Sequence, residues 1–86
     1  MEGKFPLKVD LEWSKVQEGY ILKDKLGKVS VQLDAISFLV WIQCDGKTPI
    51  DSIVGVFAVG GNPDIIRAAI TGVIQKLSDI QIIRWV

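Results

Sequence analysis

The chain has no histidine and a single cysteine, Cys44. A lone thiol cannot close a disulfide within one chain, and without His the usual Cys/His zinc sets cannot be assembled. The commonest general base is missing, and no imidazole is present to activate Cys44 as a nucleophile. Neither charge is in excess: 10 Lys and Arg stand against 10 Asp and Glu. A small nucleic-acid binder normally carries a basic surplus, so nucleic acid is not an expected partner. No uninterrupted apolar run reaches ~18 residues, so no membrane span is expected. Met1 to Lys8 lacks the apolar segment of a signal peptide. One thiol suits a reducing compartment, which makes the cytoplasm the expected location.

What the chain does have is apolar residues: 49% of 86, with a mean hydropathy of +0.34. That length predicts a single domain over 1–86. A chain so short buries only about 60–65% of its unfolded surface. The apolar excess therefore implies a dense core or a surface kept for a partner.

The stretch from Lys28 to Pro49 organises the rest. Val29, Val31 and Leu33 alternate with Lys28, Ser30 and Gln32, the pattern of a half-buried strand. Asp34 then caps a helix over Ala35 to Cys44. That helix holds little polar beyond Ser37 and Gln43, so burial on most sides is expected. Asp45-Gly46 ends it. Thr48-Pro49-Ile50-Asp51 opens the next, with Thr48 as the capping hydroxyl and Pro49 at the first helical position.

Before this stretch, Met1 to Pro6 reads as a frayed start. Leu7, Val9, Leu11 and Trp13 alternate with Lys8, Asp10 and Glu12, predicting one amphipathic strand. Ser14 to Gly19 reads as a polar connection. Tyr20 to Leu22 and Val29 to Leu33 form a hairpin around Asp24 to Gly27. After it, Ile50, Ile53, Val54 and Phe57 follow helical spacing up to Gly60-Gly61. Asn62-Pro63-Asp64 repeats the start signal. Ile66, Ala69, Ile70, Val73, Ile74 and Leu77 make the most regular helical stripe in the chain. Gly72 interrupts it, as tolerated ballast or as a point of close backbone approach. Ile82 to Val86 reads as a terminal strand. The class is α+β: a three-stranded antiparallel N-terminal sheet, three helices and a short C-terminal strand, a winged-helix-like order.

No motif carries catalysis. Asp45, Asp51 and Asp64 sit where helices start or end, and capping explains them. Gly60-Gly61-Asn62-Pro63 lacks the Lys and Ser/Thr of a phosphate loop. The chain is expected not to be an enzyme and to hold no cofactor and no metal. The winged-helix order raises a transcriptional regulator as an alternative. However, the outward positions of the third helix, Asp64, Arg67, Ala68, Thr71, Gln75 and Lys76, offer few phosphate contacts. A peptide fits the residues better. Val29 to Leu33 at a sheet edge could accept an extended chain by completing its ladder. Ile66, Ile70 and Ile74 would wall the groove, with Arg67 or Thr71 at its rim. On that reading Val31→Asp weakens binding without unfolding the chain. An exposed apolar edge also makes a homodimer an expectation.

The succession Gly19-Tyr20-Ile21-Leu22-Lys23-Asp24, then Lys28 to Ile53 with Asp45-Gly46-Lys47-Thr48 at its centre, resembles the PqqD-like family, the RiPP recognition elements. The resemblance runs from about Gly19 to Val86. Asp34 stands where the family often has Asn, and Ser78-Asp79-Ile80-Gln81 where it often has a Gly-containing turn. The resemblance implies a peptide chaperone that binds the leader region of a ribosomally made precursor peptide. It would then present that peptide to a modifying enzyme, often a radical SAM enzyme, as in pyrroloquinoline quinone (PQQ) biosynthesis. It also implies that Val29, Ser30, Val31, Gln32 and Leu33 are the binding strand, with Ile66, Arg67, Ile70, Thr71 and Ile74 beside them.

Overall fold

The computed structural model describes residues 5–86. Its order is β1 (Pro6–Lys8), β2 (Glu12–Val16), β3 (Gly19–Lys23), β4 (Val29–Leu33), α1 (Ala35–Gln43), α2 (Ile50–Phe57), α3 (Pro63–Asp79) and β5 (Ile83–Trp85). The strands make two antiparallel sheets, β1-β5 and β2-β3-β4. The α+β class, the three-stranded sheet, the three helices and the C-terminal strand are therefore present. The chain divides into two compact units. One is Asp10–Leu39; the other joins the residues up to Val9 with Val40–Val86, so the division falls inside α1.

In the unit Asp10–Leu39, β2 and β3 are joined by the two-residue turn Gln17-Glu18, and the register runs from Val16 opposite Gly19 to Glu12 opposite Lys23. Asp24 builds the next turn. Its Oδ1 accepts the amides of Leu26 and Lys28, each at 2.9 Å, and its carbonyl accepts the Gly27 amide at 3.0 Å. Gly27 takes φ +81° there, a value open to Gly at no steric cost. Asp34 Oδ1 accepts the Ser37 amide at 2.7 Å, the N-cap bond expected of it. Leu22 and Leu33 of the sheet and Phe38 of α1 are buried. Trp13, Tyr20 and Phe38 form an aromatic cluster: Trp13 meets the other two edge-on, while Tyr20 and Phe38 stack.

In the other unit, Val40, Trp41, Cys44, Ile53, Val54, Ile70, Ile74, Leu77, Ile82 and Ile83 are buried. Trp41 Nε1 donates to the Ile82 carbonyl at 3.0 Å, so the polar atom of this large core residue is satisfied. Asn62 caps α3, its Oδ1 accepting from Asp64 at 2.9 Å and more weakly from Ile65 at 3.4 Å, with Pro63 in the first helical position. Gly72 meets nothing within 4 Å, so no backbone approaches it and its place in α3 is tolerated.

Five expectations are corrected. The alternation from Leu7 to Trp13 is not one strand: Pro6–Lys8 pairs with β5 and Glu12–Val16 with β3. A period of two names the face of a strand but not its neighbour, and the bend at Asp10 separates two partnerships. Pro6 is not frayed but opens β1 opposite Trp85, a first-residue place where its missing N–H costs no ladder bond. Ser14 to Val16 is strand, not connection. Thr48 does not cap α2. Pro49 stands at the cap with no side-chain bond, and Thr48 Oγ1 donates instead to Asp45 Oδ2 at 3.1 Å. The expected burial of α1 is also incomplete, since Ile36 and Leu39 remain 52% and 45% exposed.

Candidate functional site

β4 lies at the edge of its sheet, and among the described residues its only strand partner is β3. Tyr20 faces Leu33, Ile21 faces Gln32 and Leu22 faces Val31; Lys23 then faces Val29. The step from Leu22 to Lys23 skips Ser30, a one-residue bulge that leaves Ser30 without a partner on β3. Directly opposed residues share a face of the sheet. Val31 and Leu33 therefore lie on the face of Trp13, Tyr20 and Leu22, where Phe38 packs on the aromatic rings. Gln32 lies on the other face with Ile21 and Ser14.

The direction of the backbone groups follows from the same register. A two-residue hairpin closes on a hydrogen-bonded pair, here Val16 and Gly19, and such pairs alternate along the ladder. Ser14 and Ile21 are then the next bonded pair, so Ile21 turns its amide and carbonyl toward β2. Tyr20, Leu22 and Asp24 turn theirs toward β4, which agrees with the Asp24 amide donating to the Lys28 carbonyl at 2.9 Å. Gln32, opposite Ile21, has its amide and carbonyl turned out of the sheet, and so does Val29, opposite Lys23; Ser30, in the bulge between Val29 and Val31, does not follow this alternation.

β2 is the other edge of this sheet. Its residues Glu12 and Lys15 put charge on that edge, a common protection against strand addition. Lys15 Nζ lies 5.5 Å from the centroid of the Tyr20 ring. β4 holds no charged residue: Val29, Ser30, Val31, Gln32 and Leu33. Val29 is 51% exposed.

The other expected residues lie on α3. Ile70 and Ile74 are buried, so their side chains are taken up by the core; Ile66 is half-buried, while Arg67 and Thr71 are exposed. Arg67 is not a free rim cation, because its Nη1 pairs with Asp51 Oδ1 of α2. Sequence reasoning passed over Ile65, which is exposed on the first turn of α3; its place one residue off the apolar stripe was the available signal.

The Asp45 to Thr48 turn is a self-contained structure. Asp45 Oδ1 accepts the amides of Lys47 and Thr48 at 2.8 and 2.9 Å. The Lys47 amide first, then the Thr48 hydroxyl, hold its carboxyl below the ordinary value. The Gly46 amide donates to the Pro6 carbonyl and the Lys8 amide to the Cys44 carbonyl, at 2.9 and 2.7 Å, which fastens β1. Cys44 is fully buried and its Sγ donates to the Val40 carbonyl at 3.3 Å. Burial pushes its thiol up to about 12, so it is no nucleophile near neutrality. Among the described residues no group of three or more His, Cys, Asp or Glu is placed to hold a metal, and no helix is long and apolar enough to cross a membrane.

No family model, no curated protein and no solved structure matches the chain.

Proposed function

We propose that the protein is a peptide-binding module that captures an extended segment by strand addition on β4. The observation that carries this reading is an uncharged edge strand with its Val29 and Gln32 backbone groups turned outward. Backbone bonds to those groups would supply affinity. The apolar face with Val31 and Leu33 would favour an amphipathic segment with apolar residues at alternate positions. The resemblance to PqqD-like proteins supports the leader region of a ribosomally made precursor peptide as the segment and a modifying enzyme, often a radical SAM enzyme, as the recipient. The module itself would do no chemistry and would work in the cytoplasm. The exposed side of α3 lends little to duplex DNA, since Arg67 is already paired with Asp51 and Asp64 adds a like charge to the phosphates.

Titration of the labelled protein with an amphipathic leader peptide tests the reading. Amide signals of Val29 to Leu33 are expected to shift first and furthest. Shifts confined to β1 and β5 would refute it.

A further inference from the structure

Lys28 stands at the turn end of the β4 edge. The Asp24 amide donates to its carbonyl at 2.9 Å, so Lys28 lies opposite Asp24, one step beyond Val29 opposite Lys23. Successive residues of a strand alternate between faces. Lys28 therefore returns to the face of Val31 and Leu22, while Val29 and Lys23 lie on the other. The bulge sets the spacing. Val29 and Gln32 are three residues apart on β4, yet they face Lys23 and Ile21, which are two apart on β3. Leu33, Val31 and Lys28 thus oppose Tyr20, Leu22 and Asp24, a regular alternate series on the unbulged strand. A second unbulged strand, on the outer side of β4, meets those three residues at the same alternate spacing. Bulges belong to antiparallel pairs and are rare in parallel ones, so the incoming strand runs antiparallel to β4.

Charge is uneven along this edge. Lys28 is exposed. Among the described residues the ion pairs are Lys25 with Asp10 and Arg67 with Asp51, and Lys28 is in neither. Asp24 spends its Oδ1 on the Leu26 and Lys28 amides. At the opposite end Asp34 follows Leu33, so an acid placed there meets a like charge. Lys15 shares the face of Tyr20 but belongs to β2, the far edge of the sheet.

We propose that Lys28 selects an acidic side chain of the peptide captured on β4, and that the captured segment reads apolar-x-apolar-x-acidic in chain order. The two apolar residues lie beside Leu33 and Val31, and the Asp or Glu lies beside Lys28. This deepens the peptide reading and rests on it. Backbone bonds alone leave the register open, because a slip of two residues restores the same pattern of faces. A cation at one end of the strand makes one register and one chain direction best. An exposed ion pair adds little affinity, so Lys28 sets register and direction more than strength.

Short synthetic peptides test the selection. One carries Val-Thr-Val-Thr-Glu between Gly and Ser flanks, a second has Gln in place of Glu, and a third has the order reversed, Glu-Thr-Val-Thr-Val. Titration of the labelled protein at low salt, read on its amide signals, gives both affinity and site. The Glu peptide is expected to bind about threefold tighter than either of the others, the scale of an exposed ion pair. Added salt should erase the difference, because such pairs are screened. Lys28→Glu should invert the preference, taking a peptide with Lys at that position over the Glu peptide. Lys23→Gln, which removes a cation from the other face, should leave the Glu preference in place. Equal affinity for the Glu and Gln peptides, with the β4 amides still shifting, overturns selection by Lys28 and leaves strand addition standing. A preference for the reversed order overturns the antiparallel pattern. Loss of the Glu preference in Lys23→Gln overturns the proposal as well, since general attraction to net charge would then suffice. If no peptide shifts the β4 amides, the peptide reading fails and the selection fails with it.

Discussion

The rings of Tyr20 and Phe38 lie parallel, with centroids 3.8 Å apart and planes 4° from each other. Tyr20 sits on the central strand β3 and Phe38 on α1, so this contact joins sheet to helix inside the unit Asp10–Leu39. Trp13 closes on Phe38 from the side at 5.0 Å. Phe38 is thus the hub, and it is only 5% exposed.

Phe38→Ala is expected to cost about 3–5 kcal/mol, through lost burial and an unfilled cavity beneath the two other rings. Phe38→Leu keeps most of the volume and should cost about 1 kcal/mol. Urea denaturation followed by circular dichroism measures both. Equal losses for the two variants would mean that ring stacking, not volume, decides.

Glycine positions separate by what surrounds them. Gly19 stands at φ +136°, and a Cβ there would overlap the Leu33 carbonyl oxygen. Gly19→Ala must therefore move the first pair of the β3-β4 ladder and is expected to cost about 2–3 kcal/mol. Gly27 has φ +81° with nothing within 4 Å, so Gly27→Ala carries only the left-handed strain of roughly 1 kcal/mol. Gly72 has neither positive φ nor a near neighbour; Gly72→Ala is expected to stabilise by about 0.5–1 kcal/mol through the helix. Thermal melts of the three variants should fall in that order, with Gly72→Ala above the parent.

Cys44 makes stability depend on alkaline pH. Its thiol is raised from 9.0 to about 12, with desolvation by burial as the largest cause. Above pH 9 the unfolded chain loses this proton while the folded chain keeps it, so the unfolded state binds fewer protons and stability falls as pH rises. The contribution is whole below pH 9 and is lost toward pH 12, at no more than about 1.4 kcal/mol per pH unit. Denaturation of the parent and of Cys44→Ala across this range should diverge, with the parent falling more steeply. The same burial predicts that a thiol reagent labels Cys44 only after denaturant is added.

Local signals in the sequence located most of these elements. Asp34, Asn62-Pro63 and the Asp24 to Gly27 turn place their boundaries because each is closed by bonds a few residues long. The stripe on α3 is legible for the same reason: helical periodicity is a local property. What was not legible depends on partners far along the chain. Nothing in Leu7 to Trp13 says that its first half pairs with Ile83–Trp85 and its second with β3. Thr48 matches a capping hydroxyl in pattern, but the Asp45 carboxylate claims it first. For the candidate site, alternation placed Val29 to Leu33 on a strand. The bulge at Ser30 and the outward backbone of Gln32 needed the register. The register also changes the reading of Val31: it stands opposite the fully buried Leu22, so Val31→Asp would disturb folding as well as binding.

Gln32 is therefore the position at which docking can be tested without disturbing the core. Its amide points away from β3, and proline is tolerated on an edge strand where the N–H faces solvent. Gln32→Pro removes one outward donor and keeps the bonds that Leu33 and Val31 make to β3. The variant is expected to fold, with dispersed amide signals and a melt close to the parent, while peptide binding at β4 weakens about tenfold or more, the cost of a carbonyl on the incoming strand left without its donor. Ile21→Pro, on the central strand, removes a donor shared with β2 and should unfold the sheet. If Gln32→Pro folds and binds a leader peptide as tightly as the parent, the peptide does not add to this edge.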